Sequence, residues 1–267
     1  MSKVIAIDAG HGYNTAGKRC LKRIDPSQTR EWFLNDRIAD RLEALLKRYD
    51  CTVLRTDDTT GARDISLSSR VQAANKAKAD MYISIHHNAG INGGAGGGTV
   101  VYWYSSVAAR AQQAQRLYDA VVSRTGLSGN RSSHVQKNAL YVLKHTSGPA
   151  LLLENGFMDS KVDTPIILTD AHAQKTAEGI LAFLADELAL KSKTAQDKPQ
   201  TQPTAYYPAC AARYVTISTA LASIGVNSSY AFRKRIAAAN GISGYCGTAA
   251  QNTRMLNLLK AGLLKRV

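Results

Sequence analysis

The chain has 267 residues and four cysteines, Cys20, Cys51, Cys210 and Cys246, none of them at the C-x-x-C spacing. That excludes a thiolate zinc knuckle. It also lacks any run of the roughly 18 to 20 apolar residues that a membrane span requires, so no transmembrane segment is expected. No export signal opens it either. Lys3 is followed by only a few apolar residues before Asp8 interrupts them. The expectation is a chain made in a cytoplasm with its thiols reduced. Cys210 and Cys246 share one segment, where pairing in an oxidising medium stays chemically open. The C-terminal end lacks negative charge. Residues 206–267 hold eight Lys or Arg and no Asp or Glu, more than half of the formal net charge of +14. A segment without acids forgoes internal salt bridges and suits an anionic partner: nucleic acid, acidic lipid or wall polymer.

What is present is an ordinary globular composition, 45% hydrophobic. KVIAIDA reads as a strand buried on both faces, and GYNTAGKRCLKRIDPSQTR as a long loop. In EWFLNDRIADRLEALLKRYD, residues Leu34, Ile38, Leu42, Leu45 and Tyr49 form a helical stripe, with Arg37, Asp40, Arg41, Lys47 and Arg48 available for the wet side. CTVLRT reads as a strand, SLSSRVQAANKAKAD as a helix, MYISIHH as a strand and TVVYWY as another. A helix from Val107 through Val121 stops at Gly126, LYVLK and ALLLEN read as strands, and a helix runs through Ile180, Leu184 and Leu188. Strands alternating with helices predict an α/β fold, a mostly parallel twisted sheet with helices on both faces. KSKTAQDKPQTQPTAYYPA, with three prolines, reads as a linker. TISTALASIG, SSYAFRKRIAAANG and TAAQNTRMLNLLKAG then read as three short helices ending at Gly225, Gly241 and Gly262. The expected domains are 1–190, a linker over 191–204, and a small basic helical module over 205–267.

In parallel sheets ligands bind outside the carboxyl ends of strands. His11, His86 and Glu154 all fall at the ends of predicted strands. A catalytic zinc site takes three ligands from His, Glu, Asp or Cys and leaves a position for water, and a nearby carboxylate can take that water's proton. The candidates are dispersed here, with no H-E-x-x-H motif. His11 lies between Gly10 and Gly12, which suits backbone cleared beside a ligand. Glu31 opens a helix, where a carboxylate also complements the dipole without any metal. His86 and His87 point to opposite faces of a strand, so one of the two reaches a shared site. Glu154 ends an apolar run and requires an opening or a partner. Asp8 is placed to orient backbone or a ligand imidazole. Arg55, Arg70 and Asn75 read as structural pairing, and His134, His145 and His172 as loop or surface residues. GGAGGG is no phosphate loop, since no G-K-[ST] follows, and reads as a flexible cleft edge. Trp103 and Tyr104 suit either substrate contact or core.

IDAGHG, TREWFLND, VLRTDD, RVQAANKAKADMYISIHHNA and LYVLKHTSGPALLLENGFMDS occur in that order. Together they resemble the zinc-dependent N-acetylmuramoyl-L-alanine amidases of the amidase-3 class, found in bacterial autolysins and phage endolysins. The resemblance covers about Lys3 to Leu188. It implies that His11, Glu31 and His86 hold zinc (Zn2+) and that Glu154 is the general base. It also implies hydrolysis of the peptidoglycan amide between N-acetylmuramic acid and the L-alanine of the stem peptide. The family pattern does not place the stretch KRCLKRID, between His11 and Glu31, and so leaves one cleft wall undefined. The tail resembles small wall-targeting modules of Gram-positive lysins, implying an anionic cell-wall polymer as partner and no nucleic acid. Its alternative is a helix-turn-helix-like DNA binder carrying Arg233, Lys234 and Arg235. With no export signal, the resemblance implies a phage endolysin made in the bacterial host cytoplasm and acting on the wall after release. Two rival readings are a zinc peptidase cutting within the stem peptide and a non-catalytic wall-binding protein.

Overall fold

A computed structural model describes residues 2–193 and 206–267, in two compact units lying within 1–193 and 194–267. From residue 194 onward, the linker expected over 191–204 lies outside the described residues. Lys191 and Lys193 exchange backbone hydrogen bonds with Asp50 and Arg48 and belong to the first unit.

The first unit is built on one six-stranded sheet, ordered β2-β1-β3-β6-β4-β5. The strands are β1 (Lys3–Ala9), β2 (Cys51–Arg55), β3 (Met81–Asn88), β4 (Thr99–Trp103), β5 (Val135–Lys137) and β6 (Ala150–Phe157). Strands β2, β1, β3 and β6 run parallel, while β4 is antiparallel to β6 and parallel to β5. The helices are α1 (Glu31–Leu46), α2 (Leu67–Lys76), α3 (Ala109–Thr125), α4 (Tyr141–His145), α5 (Asp163–Ile167) and α6 (Asp170–Glu187).

The period of two sorts the strand residues. Ile5, Ile7, Met81, Ile83, Ile85, Leu151 and Leu153 face a core shared with Ile38, Leu42 and Leu46 of α1 and with α3 and α6. Ala6, Tyr82, Ala150 and Leu152 face the other way, against Val71 and Ala74 of α2 and Val142 and Leu143 of α4. Each fully buried Ile or Leu contributes about 1.5–3 kcal/mol, which locks the register and so fixes which face every polar residue takes.

Two expectations change. Tyr141–His145, expected as a strand, is a helical turn in which the Leu143 and Lys144 amides both donate to the Leu140 carbonyl. A five-residue apolar run carries no period that separates the two states. Arg37 and Asp40 do not face open water. Arg37 donates to the carbonyls of Ile167 and Leu168, and Asp40 pairs with Arg55 together with Asp36 and Asp57. β5 and α5, three and five residues long, are too short to show a pattern in the sequence.

The second unit contains α7 (Ile217–Ser223), α8 (Tyr230–Ala239) and α9 (Ala249–Lys260). Thr216, Ser229 and Thr248 cap them, each side chain accepting an amide of the first turn. Gly225, Gly241 and Gly262 follow them in the left-handed conformation, as a glycine stop requires. Ile217, Leu221, Ile236, Met255, Leu256 and Leu259 form a core of its own. All four cysteines are free, with Cys210 buried and Cys246 exposed.

Candidate metal centre and active site

The site is assembled at the carboxyl ends of β1, β3 and β6 and the first turn of α1. After Ala9 the chain turns at Gly10, whose amide donates to the Ile85 carbonyl at 3.0 Å. A Cβ on Gly10 would lie 2.0 Å from Cε1 of His86. The glycine is therefore there to admit the imidazole of the neighbouring strand. His11 has φ 68°, a left-handed conformation costing a non-glycine residue about 1–3 kcal/mol unless its surroundings enforce it. Arg70, 1% exposed, enforces it by donating to the carbonyls of Ala9 (2.9 Å) and His11 (3.0 Å). Its charge is balanced by Asp8 and Asp64. Burial alone would raise the Asp8 carboxyl, but the Arg70 guanidinium outweighs it and holds Asp8 below its ordinary value. Asp8 also accepts from Ser84 (2.7 Å) and Thr56 (3.2 Å). It orients backbone, through Arg70, and makes no hydrogen bond to an imidazole.

Glu31 is placed by the loop before it. Arg19 bridges Arg30, and the Glu31 amide donates to the Lys18 carbonyl at 3.0 Å. The Glu31 carboxylate is 1% exposed. Its Oε1 lies 3.0 Å from His86 Nδ1 and 3.3 Å from His11 Nε2, and accepts from the His87 amide at 3.3 Å. Burial works to raise Glu31, but the two imidazoles beside it, with His86 hydrogen-bonded to it, outweigh burial and hold the carboxyl well below the usual range. The same hydrogen bond raises His86 against the opposing effect of burial. Lys18 brings its Nζ to 3.6 Å from Glu31 Oε2. The stretch KRCLKRID thus supplies a wall of the site and a cation in it.

His86 and Glu154 are register partners on the adjacent parallel strands β3 and β6, so both side chains stand on the same face of the sheet. Burial pushes the Glu154 carboxyl up to about 7, and its buried Oε2 has no hydrogen-bond partner among the described residues. One ligand atom each from His11, Glu31 and His86 lie within 4.8 Å of one another. Among the described residues, His11 Nε2 and Glu31 Oε2 are likewise buried without a hydrogen-bond partner. Two imidazoles and a carboxylate converging so closely, with polar atoms left without hydrogen bonds among the described residues, form a donor set that could hold a divalent cation, and these donors suit zinc.

His87 takes the opposite face, as alternation requires. Its Nδ1 lies 2.7 Å from Asn35 Oδ1, and Asn35 Nδ2 donates to the Gly10 carbonyl at 3.1 Å. Asn35 ties α1 to the tip of β1 and to β3, a role the sequence analysis missed. Its position four residues after Glu31, on the same helical face, was the available signal. His172 was expected in a loop or on the surface but lies in α6 and is 3% exposed. It sits on the buried side of α6, where burial pushes it down to about 4.

The remaining candidates are structural. Arg55 holds its acidic cluster, Asn75 binds backbone at His145 and Ser147, His134 stacks on Tyr118, and His145 tilts against Tyr141. Trp103 pairs with Leu151 whereas Val100 pairs with Glu154, so the antiparallel direction of β4 carries Trp103 and then Tyr104 away from the site. The glycine loop is pinned: Gly98 donates to Asp163 at 2.7 Å and Gly97 to Asn130 at 3.2 Å.

Residues 5–186 match the family model described as N-acetylmuramoyl-L-alanine amidase. The chain is 32% identical over 204 residues to an endolysin of Bacillus phage SPP1, an alignment covering 76% of this chain and 72% of that protein. It is 32% identical over 181 residues to the probable cell wall amidase LytH of Staphylococcus aureus. That alignment takes in 67% of this chain and only 56% of LytH, just over half of that relative's length. Among solved structures, the catalytic domain of CwlV, an N-acetylmuramoyl-L-alanine amidase from Bacillus (Paenibacillus) polymyxa var. colistinus, matches with TM-score 0.62 at 27% identity, over 71% of this chain and 99% of that one. An N-acetylmuramoyl-L-alanine amidase from Clostridium difficile 630 matches with TM-score 0.60 at 28% identity, over 70% and 97%.

Proposed function

This chain belongs to the N-acetylmuramoyl-L-alanine amidase family, and from that membership we propose that it hydrolyses the peptidoglycan amide between the lactyl group of N-acetylmuramic acid and L-alanine, with His11, Glu31 and His86 holding zinc. The observation that carries this reading is the convergence of those three side chains beside Glu154, whose Oε2 is buried and, among the described residues, without a hydrogen-bond partner. Zinc bound there would supply carbonyl polarisation and lower the pKa of a water toward about 7. Glu154 then takes the water's proton and delivers it to the alanine nitrogen as the C–N bond breaks, leaving a lactyl carboxylate and a free amine. Asp8 and Arg70 keep His11 in its left-handed position, and Asn35 keeps α1 against β1. Lys18 offsets the second oxygen of Glu31.

The product tests the assignment. Purified Gram-positive peptidoglycan treated with the protein is expected to gain N-terminal L-alanine. A different new amine would place the cut within the stem peptide instead.

The basic tail is read as a wall-binding module for an anionic wall polymer, and the whole chain as an endolysin that reaches the wall after release. The resemblance to the phage SPP1 endolysin supports the second reading. The charge supports the first: Lys234, Arg235, Arg254, Lys265 and Arg266 are exposed. Arg233 is spent internally, donating to the Tyr245 hydroxyl at 2.9 Å and to Ser218 at 3.0 Å. The Arg-Lys-Arg run is therefore not a continuous basic edge for DNA. The isolated segment 205–267 is expected to sediment with Gram-positive walls and to pass unretained over immobilised DNA. Retention on DNA alone contradicts it.

A further inference from the structure

In the substrate of the proposed reaction only an ether oxygen and one carbon separate the scissile carbonyl from the muramic sugar ring. When the carbonyl is at the His11–Glu31–His86 cluster, the sugar must lie beside it. A pyranose presents apolar C–H faces, so a residue that holds it offers an exposed aromatic face next to the metal centre.

Among the described residues of the first unit, the large hydrophobic side chains left exposed are Tyr13, Leu67, Val107, Tyr141, Val162 and Ile166, of which two are aromatic. Tyr141 tilts against His145, whose carbonyl accepts from Asn75 at the C-terminal end of α2, ahead of the start of β3 and away from the carboxyl ends of the strands. Tyr13 is two residues beyond His11, a separation that cannot exceed about 7 Å along the backbone. The residue is 48% exposed, and contacts hold it in place. The Tyr13 amide donates to the Gly61 carbonyl at 2.9 Å, and the ring meets Trp32 edge-on at 6.0 Å between centroids. Trp32 directly follows Glu31 and is 8% exposed. It is boxed in by Gly61, where a Cβ would lie 2.8 Å from the indole. Arg30, which directly precedes Glu31, sets its guanidinium 6.0 Å from the Tyr13 centroid.

We propose that Tyr13 is the platform on which the N-acetylmuramic acid ring stacks, with Arg30 donating hydrogen bonds to its oxygens. The proposal rests on the amidase reading above. Tyr13 and Arg30 each lie within two residues of one of the two ligands that chain connectivity brings to the cleft from outside the sheet, His11 and Glu31. A fixed aromatic side chain loses little conformational freedom when it binds.

The test uses the full chain and soluble muropeptides. Tyr13→Ala is expected to raise KM about tenfold, the upper end for one aromatic contact, with kcat and zinc content unchanged. Tyr13→Phe and Tyr13→Trp are expected to keep the native KM. In a Glu154→Gln background, calorimetric muropeptide binding is expected to weaken by the same factor on Tyr13→Ala. An unchanged KM in Tyr13→Ala, or a Phe variant as weak as Ala, overturns the platform. A native protein that releases no L-alanine amine from muropeptides overturns the amidase reading itself.

Discussion

Glu154→Gln lowers turnover on peptidoglycan by about 10²–10⁴-fold, the contribution of one positioned acid–base group, while folding and zinc content stay as in the native protein. The substitution keeps the size and planarity of the side chain and removes its ability to take a proton. Glu154 lies beside His86 in the β3–β6 register, on the site face of the sheet. Among the described residues, its Oε2 has no hydrogen-bond partner. A glutamine there leaves no native contact of that oxygen broken, so a loss of rate reports chemistry and not stability. Single-turnover assays beside metal analysis check this. Turnover retained within a few-fold would remove Glu154 from the reaction and leave it a structural residue.

Gly10→Ala is expected to weaken zinc binding by about 10–100-fold, as losing a partner that orients a ligand does, and activity falls with it. The added Cβ would lie 2.0 Å from Cε1, 2.3 Å from Nε2 and 2.5 Å from Nδ1 of His86. The imidazole has little room to retreat, because its Nδ1 is held against Glu31 and its backbone carbonyl accepts from Asn155 at 3.0 Å. Moving the ring breaks the spacing of the three ligands. Competitive zinc titration against a chromophoric chelator reads the effect, with thermal unfolding as a control. Native zinc affinity in Gly10→Ala would mean that His86 does not hold the metal in this arrangement.

The histidine flanked by glycines was legible as a site, though the reason lay elsewhere. From the sequence, Gly10 and Gly12 suggest backbone kept clear of a ligand. In the structure Gly10 clears the way for His86, seventy-six positions later in the chain, and Gly12 packs against the backbone of Arg63 and Asp64. Such long-range contacts leave no local pattern. The His86–His87 choice was partly readable, because strand alternation forces the two rings apart, and the structure gives His87 to Asn35. Glu31 was the least visible from its own residues, since a carboxylate in a first turn has a sufficient local explanation. Only the order of motifs across the chain singled it out. Trp103, left open between substrate contact and core, packs against the core. Its place depends on β4 running antiparallel to β6, a direction that the sequence of a five-residue strand does not encode. Tyr13 went unnoticed because one aromatic in a polar loop has no period, and its significance comes from Trp32 and Arg30 arriving from the start of α1.

The account stands on metal-dependent cleavage at one bond. The most direct measurement labels the amines newly exposed on purified peptidoglycan by the native protein, by the protein stripped with a chelator, and by the stripped protein resupplied with zinc. The account predicts N-terminal L-alanine in the first and third samples and none in the second. N-terminal L-alanine appearing undiminished in the stripped, metal-free protein would contradict it.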